Sequence, residues 1–168
     1  MNDGLLIDTN LLLLMIIGGI DEGRYIKKSK RLNTYCRDDY YNLWKLVEDY
    51  KEIWITPYIA AEVSNLIDIS GEAGERIFAL AGEIFKTFKQ VKVTISDDCQ
   101  QDFFNQFGLT DSSIINLSKK VHVITNDQRM LTPLYACHYT QVIHPEALGQ
   151  ISARRQNPSP VVVRARSS

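Results

Sequence analysis

Hydrophobic positions along the chain follow two rhythms. Short, nearly continuous apolar runs at 5–7, 53–55, 91–95 and 121–124 read as strands, each followed by a turn or helix-start signal, and 141–143 is a weaker fifth. Between them, apolar residues recur at helical spacing over 40–50, where Leu43, Trp44, Leu46 and Val47 form the stripe, and again over 57–67, 73–88 and 110–119. Apolar strands alternating with helices predict an α/β fold in three α/β/α layers, with a central, mostly parallel sheet of four or five strands. In such sheets ligands bind beyond the carboxyl ends of the strands, near a topological switch point.

One stretch interrupts the rhythm. In LLIDTNLLLLM, Asp8 is the single carboxylate of an apolar run. Burying an isolated carboxylate costs several kcal/mol, so Asp8 needs a partner, a cation, or a place at the mouth of a core element. Directly after the first strand, it is expected at the carboxyl edge of the sheet. Asp127 in VHVITND holds the same kind of place after the fourth strand, with Thr125 available to orient its carboxylate; the plain alternative is an Asn-Asp turn.

Two further acids fall on predicted helices. Thr56-Pro57 is a helix start, a hydroxyl cap followed by proline at the first helical position. At about 100° per residue, Glu62 borders the stripe of Ile59, Val63, Leu66 and Ile67, and Asp68 faces the opposite side. The plain alternative is a boundary glutamate reaching for solvent. Asp111 is drawn to an apolar face by Ile114 and Ile115, with Ser112, Asn116 and Lys119 facing away. Its plain alternative is support of the helix dipole after a Thr110 cap.

Together the four acids are expected to converge on one end of the sheet. Bare carboxylates repel, at about 4 kcal/mol for two charges about 4 Å apart in an effective dielectric of about 20. A divalent cation removes that repulsion, and an all-oxygen ligand set favours Mg²⁺ or Mn²⁺. The chemistry expected of such a site is phosphodiester hydrolysis. Zinc is not expected: Cys137-His138 and His144 lack further ligands at suitable spacing, and His122 alternates with apolar residues as a structural strand residue does.

A chain of 168 residues, 45% hydrophobic, suits one domain. The net charge of -1 conceals an uneven distribution. Residues 24–37 carry six Lys/Arg and no acid, residues 153–168 carry four Arg and no acid, and the remainder has nine basic against twenty acidic side chains. An acidic body with two basic segments suits divalent metal in one place and phosphate in another; solvated loops are the plain alternative. Cys36, Cys99 and Cys137 are odd in number and widely spaced, which points to reduced thiols in the cytosol. No targeting segment is expected, because the start of the chain lacks a basic region and the apolar run 11–17 is too short to span a bilayer.

The pattern resembles the PIN-domain nucleases: an Asp after the first strand within D-T-N at 8–10, a Glu on the helix after the second strand, L-x-D-x-x-I at 109–114, and T-x-D at 125–127. The resemblance covers about residues 4–145 and implies a PIN-like nuclease domain over 1–150 with a basic tail at 151–168. It implies metal-dependent RNA cleavage in the cytoplasm, commonly as a toxin neutralised by an antitoxin. Asp8, Asp111 and Asp127 are then the metal ligands, Glu62 helps hold metal or water, and Asn10 and Thr125 support them. RNA, an antitoxin and a second copy of the chain are the partners it implies. The long connection 18–39 and the Arg-rich end after 149 depart from compact family members.

In that setting Arg24, Lys27, Lys28, Lys30, Arg31 and Arg37 are expected to contact phosphates without reading sequence. Tyr25 and Tyr35 are placed to stack on unpaired bases or to pack. Two other classes compete. A noncatalytic RNA- or protein-binding module of the same fold leaves the acids idle. An aspartate-based phosphotransfer enzyme of the dehalogenase kind needs D-x-D where residue 10 is Asn, and a receiver needs an early acid pair and a late Lys that are absent here.

Overall fold

The first strand is buried along its whole length because it lies in the middle of the sheet. In the computed structural model, which describes residues 4–100, 102–138 and 142–143, β1 (Gly4–Ile7) pairs in parallel with β2 (Glu52–Ile55) on one side and β4 (His122–Ile124) on the other. β3 (Lys89–Gln90) extends the β2 side and β5 (Val142–Ile143) the β4 side, giving the all-parallel order β3-β2-β1-β4-β5. Helices cover this sheet in the expected three-layer α/β/α arrangement. The chain first builds outward from β1 to β3 and then returns to β1's other side for β4. The carboxyl ends of β1 and β4 are therefore the topological switch point.

Between β1 and β2 run α1 (Thr9–Gly18) and α2 (Arg37–Val47). From Leu11 to Ile17 every residue of α1 is at most 1% exposed, which is why its sequence is apolar on all sides instead of amphipathic. Contacts with α2, with α3 (Pro57–Leu66) and with α4 (Gly71–Thr87) enclose it. Its last residue must be small: a Cβ on Gly18 would lie 2.4 Å from the ring of Tyr40.

α3 starts as its sequence predicts, with the Thr56 hydroxyl accepting from Ile59 N at 3.2 Å and Pro57 in the first turn. α4 buries Gly74, Ile77, Ala81 and Ile84, one stripe at helical spacing. His122 is structural, as expected: its Nδ1 is 2.9 Å from the Tyr50 hydroxyl.

The expected strand over 91–95 is displaced. Sheet pairing occurs at Lys89–Gln90, Val91 N adds one bond to Ile55 O at 2.9 Å, and Ile95 already opens the short helix α5 (Ile95–Cys99). Thr94 is the reason, because its hydroxyl accepts from Asp97 N and caps that helix, a local bond that competes with extension.

The helix expected from residue 110 is the second part of α6 (Phe104–Leu117), which starts after a kink at Gly108, whose φ of 81° and ψ of -173° are open to glycine alone. Thr110 is therefore not a cap. Ser112, expected to face away, is fully buried, because α3, α5 and α7 (Gln128–His138) all pack on α6. The basic tail 151–168, Gln141 and His144 lie outside the described residues, as do the side chains of Cys137 and His138. Among the described residues Cys36 and Cys99 are free thiols, and no helix is long and apolar enough to cross a membrane.

Candidate active site at the switch point

Asp8 follows β1 directly, and its backbone N still bonds to Ile124 O of β4 at 3.1 Å, so the two strand ends leave the sheet side by side. The Asp8 side chain is the N-cap of α1: Oδ1 accepts from Leu11 N at 3.1 Å. Oδ2 accepts from the Thr125 hydroxyl in a short bond and from Asn126 N at 3.2 Å. Burial pushes its carboxyl above the usual range in spite of these bonds. Thr125 thus orients Asp8, whereas its motif suggested Asp127; toward Asp127 it offers only an acceptor, for the backbone N at 3.0 Å.

Glu62 is half-buried on α3, and its Oε2 accepts from the Thr9 hydroxyl at 3.0 Å. The middle residue of D-T-N thereby ties the second acid to the first. Asp68, expected on the opposite face of the same helix, lies beyond its end at Leu66 and is exposed.

Asp111, on α6 after the Gly108 bend, is the acid that registers the other three. Its carboxyl is pushed up to about 6, first by burial and then by the charges of Asp127, Glu62 and Asp8. Among the described residues no hydrogen bond ends on its carboxylate. The structure thus brings Asp8, Glu62 and Asp127 close enough for their charges to act on Asp111 at the switch point.

They are not assembled as a ligand cage. Among the described residues no three His, Cys, Asp or Glu side chains are grouped so as to hold an ion. Asp127 accounts for part of this: Arg129 donates to it from its backbone N at 2.9 Å, from Nε at 3.1 and 3.2 Å, and from Nη2 at 2.5 Å. That guanidinium holds the Asp127 carboxyl below the usual range. In donor chemistry the set still fits a hard divalent cation, since it is all carboxylate and one member carries the unrelieved repulsion of the others.

The basic connection divides. Arg31 reaches the site, where its Nε donates to Asn10 Oδ1 at 2.9 Å and its charge helps lower Asp127. Asn10 therefore holds a guanidinium. Tyr35 also reaches it, its hydroxyl accepting from Asn126 Nδ2 at 2.6 Å. The other basic residues make different contacts. Arg24, Lys27 and Arg37 line a separate cavity of about 480 Å³ with Cys36 and Asp38, and none of the four acids lines it. Lys28 Nζ sits 5.1 Å from the Tyr25 ring, and Lys30 is fixed through its backbone N to Asp68 at 2.8 Å.

Thr9, Arg129, Asn126 and the Tyr35 hydroxyl are site residues that motif reading missed. Arg129 carried one signal, a basic residue two places after a motif acid. No protein-family model matches this chain, and no curated protein matches it.

Proposed function

We propose that this chain is a PIN-like ribonuclease dependent on Mg²⁺ or Mn²⁺, hydrolysing RNA phosphodiester bonds at the switch point. The observation that carries this reading is the half-buried Asp111 carboxyl, raised to about 6 by burial and then by the charges of Asp127, Glu62 and Asp8. A group of carboxylates that raises one member's pKa is costly to keep without a cationic ligand.

Asp8, Asp111 and Asp127 are the residues that would hold the metal. A divalent cation held there would neutralise the carboxylates and supply Lewis-acid activation of water for phosphodiester hydrolysis. The protein's own part is positional. Thr125 and the Leu11 and Asn126 amides fix Asp8. Thr9 fixes Glu62 through Oε2, leaving Oε1 to orient the attacking water. Asp127 would hold the metal in place of the Arg129 guanidinium that now pairs with it. The biological setting implied by the resemblance, a cytoplasmic toxin restrained by an antitoxin, is the corresponding proposal for its role.

The clamp of Arg129 on Asp127 favours a second reading, a noncatalytic RNA- or protein-binding module in which arginine stands where a metal would. One experiment separates them: incubation of purified protein with single-stranded RNA in Mn²⁺, with and without EDTA, alongside Asp127→Asn. The ribonuclease reading expects cleavage that EDTA and Asp127→Asn both abolish. Cleavage that survives thorough chelation contradicts the metal mechanism, and RNA binding without cleavage favours the module.

A further inference from the structure

The segment between α1 and α2 is built onto the site. Ile26 and Leu32 are at most 1% exposed and anchor it in the core, while Lys30 N is tied to Asp68 on the segment after α3. From these anchors two side chains are delivered to the carboxyl edge, Arg31 between Lys30 and Leu32 and Tyr35 three residues after Leu32, and each is held by an asparagine from a motif. Asn10 of D-T-N accepts from Arg31 Nε, and Asn126 between Thr125 and Asp127 donates to the Tyr35 hydroxyl. The two asparagines leave β1 and β4 at the switch point, so Arg31 and Tyr35 are placed beside Asp8 and Asp127.

What these groups still offer is specific. Arg31 uses Nε on Asn10, and among the described residues no carboxylate pairs with its Nη groups. A planar fork held at one nitrogen keeps two outward donors in fixed directions, the geometry that matches a phosphate. The Tyr35 oxygen accepts from Asn126, so its own hydrogen remains to be donated. Burial raises that phenol further above its ordinary value, at which it is already protonated at neutral pH.

We propose that Arg31 and Tyr35 form a binding site for the non-bridging oxygens of an RNA phosphate, delivered by the 24–37 segment to the edge of the acid cluster. Two donors there offset the repulsion between a substrate anion and the four carboxylates, which the acids alone aggravate. The site rests on the ribonuclease reading for its place in catalysis, but its affinity for phosphate does not.

The test has two arms, each on wild type, Arg31→Ala, Arg31→Lys and Tyr35→Phe, with melting temperatures to verify folding. In the first, binding of a single-stranded RNA oligonucleotide is measured in EDTA across a salt series. In the second, cleavage of the same RNA is measured in Mn²⁺. Arg31→Ala should weaken binding about tenfold and reduce the salt slope by about one. Arg31→Lys should restore the slope but not the cleavage rate, because it keeps the charge and loses the fork. Tyr35→Phe should weaken binding in the first arm and raise KM in the second, each about 10- to 100-fold, as loss of a donor to a charged group does. If wild type binds but does not cleave, while Arg31→Ala still weakens binding, the phosphate site stands and the ribonuclease reading falls. If all variants bind and cleave as wild type does, or if wild type binds no RNA, the proposal is overturned.

Discussion

Arg129 grips Asp127 from two residues further along the chain, with Nη2 2.5 Å from Oδ2 and its backbone N 2.9 Å from Oδ1. The guanidinium is largely exposed, at 71%, and its partner is not, at 19%. A pair with one partner in solvent is strongly screened and contributes little. Arg129→Ala should therefore lower the melting temperature of the metal-free protein only slightly. It should also lower the Mn²⁺ concentration needed for half-maximal thermal stabilisation, because a ligand no longer has to exchange one cation for another. An unchanged Mn²⁺ requirement, read by thermal shift, would show that Arg129 does not compete with metal for Asp127.

Asp111 makes the metal-free fold sensitive to pH. Its carboxyl is pushed up to about 6, whereas in the unfolded chain it titrates at about 3.9. A carboxyl raised in the folded state contributes stability below the unfolded pKa and loses that contribution as pH rises through the folded pKa. Chemical denaturation in EDTA should accordingly show stability falling between about pH 4 and pH 7, by about 1–2 kcal/mol after allowance for solvent screening. In Asp111→Asn the fall should shrink without vanishing, because burial raises Asp8 in the same direction. Asp111→Asn that keeps the full fall would place the charge burden on another group.

Asp8 and Asp111 should respond with opposite signs to the same substitution. Repulsion alone would have either Asn variant stabilise the metal-free protein. Asp111 accepts no hydrogen bond among the described residues, so Asp111→Asn should raise the melting temperature near pH 7. Asp8 accepts from Leu11 N, Thr125 Oγ1 and Asn126 N. An Asn amide there turns a donor toward Thr125 and Asn126, leaving a buried N–H unpaired at about 1–3 kcal/mol. Asp8→Asn should thus lower the melting temperature, and both variants should reduce the shift produced by Mn²⁺. Stabilisation by Asp8→Asn would show repulsion outweighing its hydrogen bonds.

The parts of this arrangement that were legible in the sequence are those written in local patterns. β1, α1 and β4 stand out because burial on both faces makes their runs almost wholly apolar. The four acids stand out because each follows a strand or borders an apolar helical stripe. β3 falls outside the expected run because an edge pair of two exposed residues carries no apolar signature, and the short turn before Gly108 has too few residues to show a helical period. The polar contacts that organise the site were not legible at all. Thr125 meets Asp8 across 117 residues, and Asn126 meets Tyr35 across 91, separations that no periodicity encodes.

The central claim is that Asp8, Asp111 and Asp127 act as one ligand set, and calorimetric titration of Mn²⁺ into wild type and the three single Asp→Asn variants tests it most directly. The account predicts saturable binding to the wild type, weakened at least about tenfold in each variant, since each loses a ligand charge. Wild type that binds no Mn²⁺, or three variants that bind it as wild type does, would contradict the account.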